Sequence, residues 1–302
     1  MDADVLLDRT GFSVRRGTQA GLTRRQLDGR RLQRPFRGLR TEGQDLDDHA
    51  TRCRAYAALD RHGHAFSHHS AAVLHGFPLK HGPAQPIHVS VFAPRKPPQM
   101  AGVVGHELRA AGHRVVEVDG LRVVAAEDTW AQLSSTLPLT DLVVIGDWLI
   151  TGDEPYSGAP SRWERSDLER AVRHHGRRPG IRVLRQALDA VRYGSLSPQE
   201  SRLRLELTAA GLPQPALNHR VTHEGRRVAM VDLAYPDRRL AIEYLGDHHR
   251  TDQDAYREDI HRRERLIGAG WEVVFLTAAD LSGPVPRAIL TVRRAYARSI
   301  PE

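Results

Sequence analysis

Cysteine is almost missing from this chain. The single Cys53 can form neither an internal disulfide nor a thiolate metal cluster, so a reducing cytoplasm is the expected setting. Lysine is nearly as scarce, with Lys80 and Lys96 the only two among 44 basic residues, so arginine carries the positive charge. Long apolar runs are lacking too. The most apolar stretch, Leu142 to Ile150, is short and interrupted by Asp147, and it predicts a buried helix rather than a membrane span. Val5 to Leu7 runs straight into Asp8 and Arg9, which argues against a secretory signal. No phosphate-binding or dinucleotide glycine fingerprint occurs, so no nucleotide cofactor is expected.

What remains is an ordinary globular composition. The 302 residues are 40% hydrophobic and 27% charged, enough for about two domains that each bury a core. A formal charge of +7 and a pI near 10.0 favour a polyanionic partner, because neutralised phosphates release condensed counterions. The competing explanation is an arginine-rich composition of the kind a GC-rich genome produces, and charge by itself leaves the two open.

The first strong local signals lie between Ala20 and Thr41. Thr23 and Gln26 fit a capping box with Leu22 as its staple, which predicts a short helix over Arg24 to Arg30. Leu32 to Leu39, holding Pro35 and Gly38, suits a short strand and turn. A capped helix followed by an arginine-rich hairpin is the order of winged-helix modules, in which the helix enters the major groove and the wing meets phosphate. Arg24, Arg25, Arg34 and Arg37 are the DNA-binding candidates, with Arg30, Arg31 and Arg40 beside them and Asp28 as the one acid. A solvated basic face is the alternative. The segment GLTRRQL, then RPFRGLR, then FSHHSAAVLHGFPL (Phe66 to Leu79) resembles the winged-helix amino terminus of AbiEi-type antitoxins.

His68, His69 and His75 have no carboxylate or cysteine at a helpful spacing. With Ser67 as a helix N-cap they fall on a short helix over the core, and structural or phosphate-facing roles are expected ahead of metal ligation. Beyond Pro86 the pattern changes to short strands. Ile87, Val89 and Val91 alternate with polar residues, and Val115 to Val124 carries an Asp119-Gly120 turn suited to a hairpin. Thr129 to Leu149 reads helical, Gly152 to Pro160 reads as a loop and boundary, and Ser161 to Arg192 reads helical again.

Ser197-Pro198-Gln199-Glu200 opens a helix by every local rule, which gives Glu200 a complete structural explanation as a capping residue. If the turn Pro236 to Arg239 centres a hairpin, Tyr235 pairs with Leu240 and, counting outward, Asp232 falls opposite Glu243. Like charges so placed destabilise a sheet. Apolar neighbours screen them poorly, so one carboxyl should have a raised pKa, and a divalent cation held by hard oxygens, Mg²⁺ or Mn²⁺, would remove the cost. A register slip of one residue would instead place Glu243 on the solvent face.

The ordered blocks SPQESRLR, VDLAYPDRRLAIEYLGDHH and RRERLIGAGWEVVFLTAADL resemble an endonuclease-like family related to the very-short-patch-repair (Vsr) endonucleases, within the PD-(D/E)XK superfamily. The resemblance covers Ser197 to Leu281. It implies a restriction-endonuclease-like mixed sheet flanked by helices, with Glu200, Asp232 and Glu243 as metal ligands. The superfamily's Lys, or in this family often Asp, is replaced here by Leu245, which neither activates water nor binds metal. Asp247, His248 or His249 stand close by, with His249 the choice for general base and His248 for a phosphate contact. The helix from Tyr256 to Leu266, rich in both charges, is expected to be a salt-bridged solvated face.

The expected fold class is α/β in the broad sense, α+β in its parts: a winged-helix module over 1–80, an AbiEi-like α+β scaffold over 81–192 and an endonuclease-like domain over 195–290. The expected function is a Mg²⁺- or Mn²⁺-dependent DNA endonuclease of the cytoplasm with DNA and no membrane as partner, self-association into a homodimer being left open. The alternative is a catalytically degenerate DNA-binding regulator or antitoxin-like protein.

Overall fold

Alternation of apolar residues at period two, broken by glycine turns, builds the two larger sheets. The computed structural model describes residues 11–79, 82, 85–109, 112–245, 253–281 and 287–299. The chain divides into two units, one of residues 1–142 and 165–188, the other of residues 143–164 and 189–302. Both combine helices with mixed sheets, so the fold is α/β.

In the first unit, strand β1 (Phe12–Ser13) pairs antiparallel with β2 (Leu39–Arg40). Between them lie helices α1 (Val14–Gln19) and α2 (Arg24–Leu27). The Thr23–Gln26 capping box forms in full. The helix ends at Leu27 with Asp28 as its C-cap, short of the expected Arg30, and Gly29 with its turn bond to Gln26 follows. Helix α3 (His49–Ala57) leads to β3 (His64–Phe66) and α4 (His68–Leu74).

Strands β4 (Ile87–Phe92), β5 (Val103–Leu108), β6 (Val115–Val118) and β7 (Leu121–Val124) complete a five-stranded sheet of order β5-β4-β3-β7-β6. The β6–β7 hairpin turns on Asp119 and Gly120, both at positive φ, as a two-residue turn of this hand requires. Cys53 is fully buried under this sheet with Phe66, Ile87 and Val123. Burial pushes its thiol up to about 12, so it is an inert core residue.

Thr129 to Leu149 forms two helices rather than one, α5 (Ala126–Leu133) and α6 (Leu139–Thr151), with Pro138 opening the second. A short helix α7 (Glu154–Ser157) follows. Ser161 to Arg192 likewise divides into α8 (Arg165–His175) and α9 (Ile181–Ala190). Gly180 between them sits at φ +87°, where a Cβ would meet the Ser134 backbone at 2.4 Å.

The second unit is built on α10 (Pro198–Ala209) and four strands, β8 (Ala216–His223), β9 (Arg226–Tyr235), β10 (Leu240–Leu245) and β11 (Glu272–Thr277), in the order β11-β10-β9-β8. β8, β9 and β10 run antiparallel, and β11 is parallel to β10. A parallel pair needs a crossover, and helix α11 (Gln253–Gly268) supplies it. Leu203, Leu207, Leu233, Ile242 and Val292 pack one core, the last from helix α12 (Arg287–Arg298). Val221, Val231, Ala241 and Leu266 pack a second.

The interruption in the apolar run is a buried anchor. Asp147 in α6 is fully buried; its carboxylate accepts from Arg204 Nη2 at 2.8 Å, Ser201 Oγ at 2.7 Å and the Arg192 N–H at 2.7 Å. Arg204 is itself only 2% exposed. Removing one partner of such a pair strands the other charge in apolar surroundings. Arg204→Ala is therefore expected to lower unfolding free energy by about 3–5 kcal/mol, read by urea denaturation; a loss below about 1 kcal/mol would show that water reaches Asp147.

Candidate active site

The acidic residues are placed by one turn. Pro236–Arg238 forms a 3-10 turn, Arg239 follows in the left-handed region, and the ladder begins with Tyr235 opposite Leu240, then Ala234 opposite Ala241 and Leu233 opposite Ile242. Counting outward, Asp232 and Glu243 come next, but the ladder ends at the Leu233–Ile242 pair. Here the pattern changes, because an Asp232 carboxylate oxygen accepts the Tyr244 N–H at 2.8 Å. The side chain of Asp232 thus takes a donor of β10 at the point where the backbone register with β9 stops.

Glu243 is 5% exposed. Arg262 of α11 donates to both of its oxygens, at 2.8 and 2.9 Å, and also to the Met230 carbonyl. The repulsion between neighbouring acids, for which the sequence suggested a metal ion, is thus offset here by a guanidinium. Arg262 was expected on a solvated helix face, and the structure brings it into the site. No pattern in α11 marks it, since its neighbours are equally charged.

Glu200 is also 5% exposed. It sits at the third position of α10, with its N–H on the Ser197 Oγ at 3.2 Å. One carboxylate oxygen accepts from the Leu196 N–H at 2.9 Å and from Asn218 Nδ2 at 2.8 Å. Burial first, then the charge of Asp232, pushes the Glu200 carboxyl up to about 7, against the pull of those hydrogen bonds. Asn218 lies in β8 at φ +42°, and its amide also reaches the Gly194 carbonyl. It is a second site residue that sequence reasoning missed.

Tyr156 of α7 joins the same electrostatic field. Its hydroxyl is raised from its ordinary range by burial and then by Asp232, Glu200 and Glu243. Tyr156 is 67% exposed, so the segment expected to be a boundary loop places a tyrosine at the edge of this field rather than inside the site. Leu245 ends β10 half-buried, opposite Thr277 of β11. Asp247, His248 and His249 lie outside the described residues.

The basic segment is partly self-neutralised. Asp28 is within ion-pair reach of Arg24 at 3.8 Å, Arg34 at 3.6 Å and Arg40 at 3.0 Å, and Arg31 pairs with Glu42. Arg40 is the most enclosed of these and also donates to the Leu27 carbonyl at 2.6 Å, so it holds the module together. Arg25, Arg30 and Arg37 are exposed.

A third group forms where the sequence suggested none. The ring nitrogens of His68, His88 and His106 lie within 4.8 Å of one another. His68 was read against its chain neighbours, whereas its partners come from β4 and β5. Ser67, expected as a side-chain cap, makes no such bond; its hydroxyl is 3.0 Å from His68 Nδ1. Among the described residues Glu200, Asp232 and Glu243 do not reach the same mutual spacing.

No family model matches the chain. Similar proteins do exist. The "Uncharacterized protein MT2308" of Mycobacterium tuberculosis (strain CDC 1551 / Oshkosh) is 28% identical over 230 residues, covering 76% of this chain and 80% of the relative. The "Uncharacterized protein Rv2248" of M. tuberculosis (strain ATCC 25618 / H37Rv) matches with the same identity and coverage.

The raised Glu200 carboxyl has a sign that can be tested in chelator-treated protein. Below its ordinary 4.5 the group is protonated in both folded and unfolded chains. Between 4.5 and about 7 the unfolded chain gives up the proton that the folded one keeps, so this group's contribution to stability falls as pH rises through that window. Glu200→Gln should flatten that part of the stability profile, measured by denaturant unfolding at a series of pH values. An unchanged slope would mean that the carboxyl titrates near its ordinary value.

Proposed function

We propose that this protein is a metal-dependent DNA endonuclease of the cytoplasm, whose amino-terminal basic module holds the duplex and whose second unit hydrolyses the phosphodiester. The observation that carries this reading is the meeting of Asp232, Glu243 and Glu200, from two strands and a helix, in one electrostatically coupled site. Their oxygens are hard donors of the kind Mg²⁺ or Mn²⁺ takes. Asp232 and Glu243 would hold the ion, Glu200 joining in its ionised form. A bound ion of this class polarises phosphate and lowers the pKa of attacking water. Arg262 keeps Glu243 compensated until then, and its guanidinium is suited to pair with a phosphate oxygen once released. That no helix of the described residues is long and apolar enough to cross a membrane fits this reading.

A second reading is a DNA-binding regulator, antitoxin-like, whose nuclease centre has lost activity. Leu245, apolar where a lysine or aspartate would act, favours it, as does the grip of Arg262 on both oxygens of Glu243.

Supercoiled, nicked, mismatched and single-stranded DNA incubated with the protein and Mg²⁺ or Mn²⁺ tests the first reading. Cleavage is expected from the native protein and none from Asp232→Ala or Glu243→Ala with unchanged circular dichroism. Failure of the native protein to cut any of these forms, while calorimetry shows Mn²⁺ binding that Glu243→Ala removes, would establish the second reading in its place. Arg25→Ala and Arg37→Ala should each lower the slope of log affinity against log salt by about 1. Arg40→Ala should instead lower stability, and an unaltered salt slope for both exposed arginines would remove the basic face from the interface.

A further inference from the structure

We propose that His68, His88 and His106 bind one divalent transition-metal ion of the zinc class, with its fourth position open to the adjoining cavity. This site lies in the first unit and is independent of the acidic centre.

The geometry converges from three elements. β4 and β5 run parallel with His88 opposite Val104 and Ser90 opposite His106, so the two histidines are diagonal neighbours on one face of the sheet. His88 Nδ1 and His106 Nε2 are 2.9 Å apart. His68 is the first residue of α4, and it is held at φ +50° by its N–H on the Gln132 side-chain oxygen at 3.0 Å. Its Nδ1 faces the Ser67 hydroxyl, which in turn accepts from Ser90 Oγ at 2.6 Å. An Nδ1–H bonded in this way leaves Nε2 as the lone-pair nitrogen, which is how outer partners prepare metal-binding imidazoles. Two nitrogens on a tetrahedral ion at about 2.0–2.1 Å lie roughly 3.4 Å apart. The present separations, all under 4.8 Å, reach that spacing with side-chain movements of roughly an ångström.

The chemistry agrees. Metal binds neutral imidazole, and an ordinary imidazole is already mostly neutral at pH 7. All three therefore offer lone pairs at neutral pH. Three imidazoles suit zinc, cobalt, nickel or copper rather than Mg²⁺, and three protein ligands with an open fourth position is the pattern of a reactive rather than a structural ion. His68 and His106 line a cavity of about 570 Å³ shared with Arg109, His113, Gln132 and Arg178. Gln132 Nε2, buried on that wall, has no partner among the described residues.

The test uses the untagged full-length chain, stripped with chelator and titrated with Co²⁺. The expected result is saturation at one Co²⁺ per chain with the visible bands of four-coordinate cobalt, reversed by Zn²⁺. The bands should vanish in His88→Ala and in His106→Gln, the latter on an edge strand, and should survive in Asp232→Ala and Glu243→Ala. Ser67→Ala should weaken binding by about 10–100-fold. X-ray absorption of the zinc-loaded native protein should show imidazole scattering, a readout that does not depend on any variant folding. Absence of the cobalt bands in the native protein, their persistence in both histidine variants, or a zinc shell without imidazole would overturn the proposal.

Discussion

The buried carboxylate of Asp147 is the constraint on which the second unit depends. It binds Arg204 and Ser201 on α10 and the backbone N–H of Arg192, so three chain segments are held to one point in apolar surroundings. Glu200 precedes Ser201 by one residue, so its position beside Asp232 depends on this anchor as well as on Asn218 of the sheet. Desolvation pushes Asp147 upward against the pull of Arg204, and the arrangement is stable only while every partner stays in place. An apolar substitute could fill the same volume. It would not fix the angle at which α10 presents Glu200.

Arginine performs the same task elsewhere. Asp28 gathers three guanidinium groups, Glu127 is reached by Arg114 and Arg170, and Glu243 by Arg262. With lysine almost excluded, the planar, multiply donating cation is available at each of these places. The formal charge of +7 therefore overstates the field of the amino-terminal face, where exposed Arg25, Arg30 and Arg37 carry the part that is not spent on Asp28 or Glu42.

Features governed by short-range rules were legible from residue types. The Thr23–Gln26 box, the Ser197 cap, the Asp119-Gly120 hairpin and the Tyr235–Leu240 pairing each depend on a few adjacent residues and on fixed turn geometry. What was not legible is long-range. Arg262 reaches Glu243 across 19 positions from a helix that offers several equivalent arginines, and Asn218, the one asparagine of the chain, reaches Glu200 across 18, a partner that no local pattern names. The histidine group shows the same limit: His68 and His106 are 38 positions apart by number, and only the parallel pairing of β4 with β5 brings His106 to His88. Helix lengths were overstated at Arg24, Thr129 and Ser161 because Gly29, Pro138 and the Gly176 to Gly180 segment break the backbone inside the expected spans.

The two candidate centres differ in how an ion would be received, and this difference follows from charge. At the histidine group the ligands are neutral and the ion brings its charge into a place where no cation has to leave. At the acidic centre a guanidinium already occupies the field of Glu243, so an ion can gain its ligands only as Arg262 finds another anion. On the proposed nuclease reading the substrate's own phosphate is that anion, because it arrives with the charge that Arg262 gives up. Ion and substrate would then bind with positive coupling, each lowering the cost of the other. On that reading an acidic centre compensated in this way would bind Mg²⁺ more weakly until nucleic acid is present, whereas the histidine group would carry no such requirement.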